Sequence, residues 1–316
     1  MLVILEFFQT DAEQTQRMIS ASTNNELIEL ESLLKKPLNP NVRDKHGTTP
    51  LHCAAERGHV ESLQLLIEAG ADKDQAANDG ATPLFMAAHE GHLDVVRHLV
   101  EVGAHKDQTR NDGETPLFIA SENGYLDVVR HLVEAGAHKD QAANDGATPL
   151  LIAAGQGHLE VVRHLVEVGA QIDQATNWGL TSLFVAAKNG HLDVVHHLVE
   201  AGAQIDPAPN FGKTPLFVAA KNGHLDIVRH LVEVGALKDQ ARNDGATPLF
   251  VAAQEGHLDV VRHLVEVGAQ IGQATNLGVT PLSIAAQQGH LDVVRHLVEV
   301  KQWRDVMTHR STSRSS

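Results

Sequence analysis

The chain has 316 residues, 42% of them hydrophobic, with one cysteine and a formal net charge of -15. That charge, without any recurring Lys/Arg cluster, argues against nucleic-acid binding, which needs concentrated positive charge opposite phosphates. The lone Cys53 excludes an internal disulfide and no Asn-x-Ser/Thr sequon is present, which together point to a reducing intracellular compartment, cytoplasm or nucleus.

At the N-terminus, Met1 to Phe8 is apolar but short, has no basic leader, and is followed by Gln9, Asp11 and Glu13. It suits neither a signal peptide nor a membrane span, and packing against the first repeat is its expected role. From Met18 to Val42 the leucines Leu27, Leu30, Leu33 and Leu34 keep a helical rhythm, with Asn24 and Asn25 at a turn. Residues 1–43 therefore read as an N-terminal segment and a degenerate capping unit.

From 44 to 300 the chain repeats itself every 33 residues, which brings Gly47, Gly80, Gly113, Gly146, Gly179, Gly212, Gly245 and Gly278 into register. A period of that length marks stacked supersecondary units, none of which hides its apolar face without neighbours. The unit from Ala77 to Thr109 shows the pattern. Thr82 offers a side-chain oxygen to the free amides of a helix start, and Pro83 sits where a missing N–H costs nothing. Leu84, Met86, Ala87 and Ala88 give the first helix a small apolar face, and Gly91 ends it. Leu93, Val95, Val96, Leu99, Val100 and Val102 form the broad stripe of a second helix held between neighbours. Gly103 stops that helix, and Asn111-Asp112-Gly113 marks a hairpin-like turn.

Thr82-Pro83-Leu84, Ala87-Ala88, Gly91-His92-Leu93, Val95-Val96, Leu99-Val100 and Gly103-Ala104 together resemble the ankyrin repeat, and the match recurs in eight units from about Lys45 to Val300. The resemblance implies an all-α repeat solenoid of helix-turn-helix units joined by β-hairpin-like loops. It also implies a concave groove, lined by hairpin tips and first helices, that holds a protein or peptide. Two departures stand out. The family usually has His after Thr-Pro-Leu, where it ties adjacent units. Only His52 keeps it; Phe85, Phe118, Leu151, Phe184, Phe217, Phe250 and Ser283 replace it, and apolar packing is expected to substitute. Ser182 replaces a helix-starting proline, which is expected to loosen that start.

The sequence offers little for catalysis. Cys53 lies among core alanines, Ser121, Ser182 and Ser283 hold ordinary repeat positions, and no glycine-rich phosphate loop occurs. Two histidine columns recur, one containing His92, His158, His191, His224, His257 and His290, the other His98, His131, His164, His197, His230, His263 and His296. Packed helices lie about 8–10 Å apart, too far for imidazoles from neighbouring units to share a zinc at about 2.0 Å. Both columns are read as structural, and no metal, cofactor or small-molecule substrate is expected. Protonating all 21 histidines would move the formal charge from -15 to +6, so an acid response is the one functional reading they leave open.

The residue before each turn glycine varies: His46, Asp79, Asp112, Asp145, Trp178, Phe211, Asp244 and Leu277. Asp79, Asp112 and Asp145 make an acidic rail. Trp178 and Phe211 then place aromatics on adjacent tips, with Leu180 and Lys213 just after the same glycines and Lys188 and Lys221 on the helices below. Aromatics at a tip are not buried by their own unit, so these positions form the candidate partner site, stiffened by Pro207 and Pro209. The mixture suggests a partner that is basic at one end and acidic or apolar at the other.

At the C-terminus the last unit keeps Leu291, Val293, Val294, Leu297 and Val298, but Lys301 replaces the stop glycine. Its second helix is expected to run on toward Trp303 and Val306. The favoured arrangement has Trp303, Val306 and Met307 folding back as a cap; the alternative leaves an open end that docks on another chain, including a second copy end to end. Residues 301–316 read as a helix extension and a tail, with Thr308–Ser316 expected to be disordered. The function expected from all this is non-enzymatic: a scaffold or adaptor binding a protein or peptide without membrane insertion. The alternative is a substrate-recruiting or regulatory subunit of a ligase- or kinase-type complex, with catalysis on another chain.

Overall fold

A computed structural model describes residues 11–207 and 212–312, with side-chain surroundings for 13–207 and 212–303. The expected packing of Met1–Phe8 lies outside these residues, as does Phe211. Eighteen α-helices make up the described residues, in antiparallel pairs, and no strand occurs among them. The degenerate unit is α1 (Asp11–Thr23) with α2 (Leu27–Leu34). The repeats follow as α3 (Pro50–Glu56) with α4 (Val60–Glu68), α5 (Pro83–Glu90) with α6 (Leu93–Glu101), α7 (Pro116–Glu122) with α8 (Leu126–Glu134), and α9 (Pro149–Gln156) with α10 (Leu159–Glu167). Then come α11 (Ser182–Asn189) with α12 (Leu192–Glu200), α13 (Pro215–Asn222) with α14 (Leu225–Glu233), α15 (Pro248–Glu255) with α16 (Leu258–Glu266), and α17 (Pro281–Gln288) with α18 (Leu291–Thr312).

Contacts gather the helices into two compact units, Met1–Ala153 with Glu160–Ala170, and Ala154–Leu159 with Gln171–Ser316. In the first, α1, α3, α5 and α7 pack one on the next in a row, and α2, α4, α6 and α8 form the parallel row. In the second, α11, α13, α15 and α17 form one row and α12, α14, α16 and α18 the other. The core runs between the rows: Leu84, Ala87, Ala88, Val95, Val96 and Leu99, like their counterparts in other repeats, are shut off from solvent.

Local chemistry accounts for each pair. Thr82, Thr115, Thr148, Thr214 and Thr247 each accept the amide three residues on at 3.1–3.2 Å, and proline fills the next position. At Thr181 the equivalent bond is 3.4 Å, and the hydroxyl of Ser182, buried in place of proline, has no partner. The bond length alone does not set this start apart, since the His52 N–H to Thr49 Oγ1 bond ahead of Pro50 is also 3.4 Å; the unpartnered hydroxyl does.

The tie between repeats has moved rather than vanished. His52 still bonds through Nε2 to the Ala81 carbonyl at 3.0 Å. Where Phe85 and Phe217 stand in its place, the rings are buried and the guanidinium groups of Arg110 and Arg242 lie over them at 5.3 and 5.5 Å. The polar tie is carried instead by a histidine at the start of most second helices, with Tyr125 in that place at α8. His59, His92, His191, His224, His257 and His290 donate from Nε2 to the carbonyls of Thr23, Glu56, Gly155, Lys188, Lys221 and Gln254 at 2.9–3.1 Å, each in the preceding pair. To reach, the imidazole lies against the glycine that ends the preceding first helix. At Gly223 (φ 76°) a Cβ would meet His257 Nδ1 at 2.7 Å, so glycine is required both by conformation and by space.

Two further ladders run through the loops. Asn78, Asn111, Asn144 and Asn276 donate from their amide side chains to the carbonyls of Lys45, Asn78, Asn111 and Asn243, and from their backbone N–H to the tip residues beside them. On the other side, carboxylates of Asp74, Asp107, Asp173, Asp206 and Asp239 accept the backbone amides of His105, His138, Gln204, Leu237 and Gln270 at 2.7–3.0 Å. The tips turn back like hairpins, as in the Ala77 N–H to Ala81 carbonyl bond of 2.8 Å, but their pairing runs between repeats in single bonds and builds no β-strand.

The degenerate unit has its turn at Asn25, whose positive φ of 57° stands where full repeats use glycine. It joins the stack through His59 to Thr23 and Ser62 to Asn25. At the other end, α18 continues unbroken to Thr312 because Lys301 does not stop it, so the expected disorder of Thr308–Ser316 is corrected at 308–312. Trp303 is 63% exposed, so it is no cap; Val306 and Met307 have side chains outside the described set. Leu291 and Ala286 are exposed there, whereas Ala253, one repeat earlier, is fully buried. Gly272 also stands where the aspartate ladder would put its next carboxylate.

Two substitutions test this account. Ser182→Pro removes an unpartnered hydroxyl and presets the backbone, and should stabilise by about 0.5–1 kcal/mol in urea unfolding. Gly235 (φ 99°) has nothing within 4 Å of an added Cβ. Gly235→Ala should thus cost about 1–2 kcal/mol from backbone strain alone, and Gly223→Ala more, since it also displaces His257; equal losses would contradict the close-approach argument.

Candidate functional site

The tip aspartates serve the turn first. Asp79, Asp112 and Asp145 each accept through Oδ1 the backbone N–H two residues on, at 3.1, 3.2 and 2.9 Å. Arg110 stands beside two of them, 3.6 Å from Asp79 and 3.2 Å from Asp112, and also pairs with Glu114 at 3.2 Å. Asp244 is similar: Arg242 grips its carboxylate through both oxygens and holds its pKa down to about 2. The acidic rail is thus partly neutralised and largely engaged with its own loops.

Trp178 is different. With no carboxylate at the tip, the turn is closed by Thr176, whose backbone N–H donates to the Leu180 carbonyl at 2.9 Å and whose Oγ1 accepts the Leu180 N–H at 3.2 Å. Thr275 does the same for the tip carrying Leu277, by accepting the Val279 N–H at 3.3 Å. Moving the turn bond onto threonine frees the tip side chain, and Trp178 is half exposed while Leu277 is 90% exposed.

Trp178 stands at the mouth of a cavity of about 290 Å³ within the second unit. Leu180, Phe184 and Val218 supply its apolar wall, and Lys188, Lys213, Lys221 and Asn222 its polar rim. The site residues expected from sequence in this region therefore converge, apart from Phe211, which is outside the described residues. Asp79, Asp112 and Asp145 do not belong to the cavity. Phe184, Val218 and Asn222 were not foreseen. The first two read as core because they are buried among repeat positions, and only the missing tip carboxylate above them signalled an opening.

The rim is basic. Lys188 and Lys221 are exposed and Lys213 half-buried, and none pairs with a carboxylate among the described residues. The carbonyl of Lys188 accepts from Asn222 Nδ2 at 2.6 Å and His224 Nε2 at 3.1 Å, which fixes the backbone beneath its ammonium group. No group of three or more His, Cys, Asp or Glu side chains among the described residues is placed to hold a metal ion. Cys53 is buried and burial pushes its thiol pKa up, the environment of an inert core residue.

Sequence comparison identifies the repeat. The family model described as ankyrin repeats (3 copies) matches at residues 3–77, 69–143, 137–209, 206–275 and 237–309. The chain belongs to the ankyrin repeat family. It is similar over 57 residues, 17% of its length, to human oxysterol-binding protein-related protein 1 at 40% identity, covering 6% of that protein. It is similar over 51 residues, 16% of its length, to zebrafish (Danio rerio) inversin at 43% identity, covering 5%. An ankyrin repeat protein of Fowlpox virus (strain NVSL) is 46% identical over 48 residues, 15% of this chain and 7% of the viral one. The chain thus spans less than a tenth of the length of these relatives. Ankyrin repeats are in general protein-interaction modules and not catalysts. No described helix is long and apolar enough to cross a membrane.

The second histidine column borders the helix rows rather than the cavity. Nε2 of His131, His164, His197, His230, His263 and His296 is shielded from water without a partner. Burial lowers the pKa of His164 and His230, and at His230 the ring of His196, 3.7 Å away between centroids, lowers it further. A histidine with a depressed folded pKa leaves stability intact above the unfolded value of about 6.5 and erodes it as pH falls below that. The thermal midpoint should accordingly fall between about pH 7 and about pH 5, and fall less in a His164→Gln/His230→Gln variant. Identical declines in the two proteins would exclude these rings as the cause.

Proposed function

We propose that this ankyrin repeat chain is a non-enzymatic scaffold or adaptor that holds a protein or peptide at the cleft beside Trp178. The observation that carries the reading is the transfer of turn closure to Thr176, which leaves a large aromatic ring over an apolar cavity with no structural task of its own at the tip. Exposed aromatics bordering a pocket are the usual anchors of protein interfaces. Leu180, Lys188, Lys213 and Lys221 complete the contact surface, and Phe211 extends it in sequence. The reducing-compartment signature of a single buried cysteine supports an intracellular location. The open face around Leu291 and Ala286 supports a second, end-to-end contact with another copy.

Because Thr176 closes the turn, Trp178→Ala should leave helicity and unfolding midpoint nearly unchanged. In affinity capture compared side by side with the intact chain, the variant should lose a defined protein set. Retention of the full set would refute the Trp178 cleft as the binding surface.

A further inference from the structure

The chain contains its own control for the chemistry of the cleft. Four repeats earlier, the same pattern positions surround a second cavity, of about 250 Å³, in the first unit. There His46 stands where Trp178 does, Thr48 where Leu180 does, His52 where Phe184 does, and Ala81 where Lys213 does. Asp79 supplies a carboxylate and no lysine lines it. One backbone framework thus carries two clefts of different polarity, so the charge at the Trp178 cleft is a local choice and not a by-product of the repeat.

That choice runs against the rest of the molecule. The formal net charge is -15, yet the rim of this cleft presents three ammonium groups and no carboxylate. The residues at the Lys188 position in other repeats are Glu56, His89, Glu122, Gly155, Gln254 and Gln287, apart from Lys221 itself. Resting on the interaction-module reading, we propose that the cleft recognises an acidic peptide segment carrying one large apolar side chain. The apolar side chain enters between Trp178, Phe184 and Val218, and carboxylates on either side of it meet Lys188, Lys213 and Lys221. Asn222 spends its N–H on the Lys188 carbonyl, which leaves its amide oxygen free to accept an N–H from the peptide backbone.

Size agrees with this occupant. A cavity of about 290 Å³ falls just below the ~300–1,000 Å³ of clefts that enclose small molecules. It takes a side chain and leaves the flanking residues on the rim, where the lysines are. Single-stranded nucleic acid would also meet lysines and an aromatic ring, but a continuous phosphate backbone needs a basic track, whereas the lysines here line one cleft of a chain with a formal net charge of -15.

The test uses the full chain with Trp303→Phe, which makes Trp178 the sole tryptophan of the two present. A random peptide display library is selected on this protein and on the same protein with Lys188→Glu and Lys221→Glu, both exposed positions whose fold is checked by helicity. The expected result is enrichment of sequences that combine Asp or Glu with one Leu, Met, Phe or Trp. A synthetic peptide of that kind, without tryptophan, should shift Trp178 emission saturably and bind roughly tenfold or more weakly to the double variant, with affinity falling as salt rises. Enrichment of neutral or basic sequences, or acidic peptides that bind both proteins equally, overturns the proposal while leaving the interaction-module reading standing. No enrichment of any peptide overturns both. Saturable Trp178 quenching by oligothymidylate, lost in the double variant and unmatched by any peptide, replaces the peptide with nucleic acid and also overturns it.

Discussion

A first helix ends in carbonyl groups that its own repeat leaves unpaired, and along much of the array the donor that satisfies one of them arrives from the next repeat. The imidazoles of His92, His191, His224, His257 and His290 make that bond at 2.9–3.1 Å, and much of the repeat sequence follows from it. The glycine beneath each ring is needed because a Cβ would collide with it. The alanine pairs of the first helices keep neighbouring helices close enough for the bond to close. Since the donor and acceptor belong to different repeats, no repeat is complete without a neighbour, which is the local chemical form of nearest-neighbour stability in repeat arrays.

Much of this was legible in the sequence because repetition multiplies weak signals. The Thr-Pro start, the glycine stops and the Val-Val/Leu-Val stripe recur in phase, and the helices lie where those residues put them. The histidine column was visible too, but not its task. The expected inter-repeat tie was sought after Thr-Pro-Leu, where only His52 has it, while the bond is made seven residues further along by a side chain whose partner lies 36 residues back. The run-on of the last helix past Lys301 was expected, but its reach to Thr312 was not. Composition there is polar and aperiodic, yet a helix already nucleated by its buried portion propagates cheaply once the stop glycine is gone.

The cleft shows how a repeat protein departs from its own pattern without losing its fold. Replacing a tip aspartate removes a hydrogen bond that every ordinary turn uses, and Thr176 and Thr275 restore it from two residues earlier. The two changes are coupled: an aromatic tip with alanine at the earlier position would leave an amide unpaired. Sequence alone marked Trp178 as unusual, but the compensating threonine explains why the loop tolerates it. Phe184 and Val218 were hidden for the opposite reason, since nothing distinguishes a pocket floor from a core residue until the lid above it is gone.

The aspartate ladder has a direction as well as a period. Asp239 holds the amide of Gln270, but Gly272 offers no carboxylate to anything that would stack beyond it. Recombination between near-identical interior repeats would lengthen or shorten the array with every ladder intact, since each junction re-creates the same clamps. A repeat grafted after residue 300 would instead meet a loop without its clamp and a helix without its stop. The array is therefore suited to vary in copy number among its interior repeats, where the ladders are continuous.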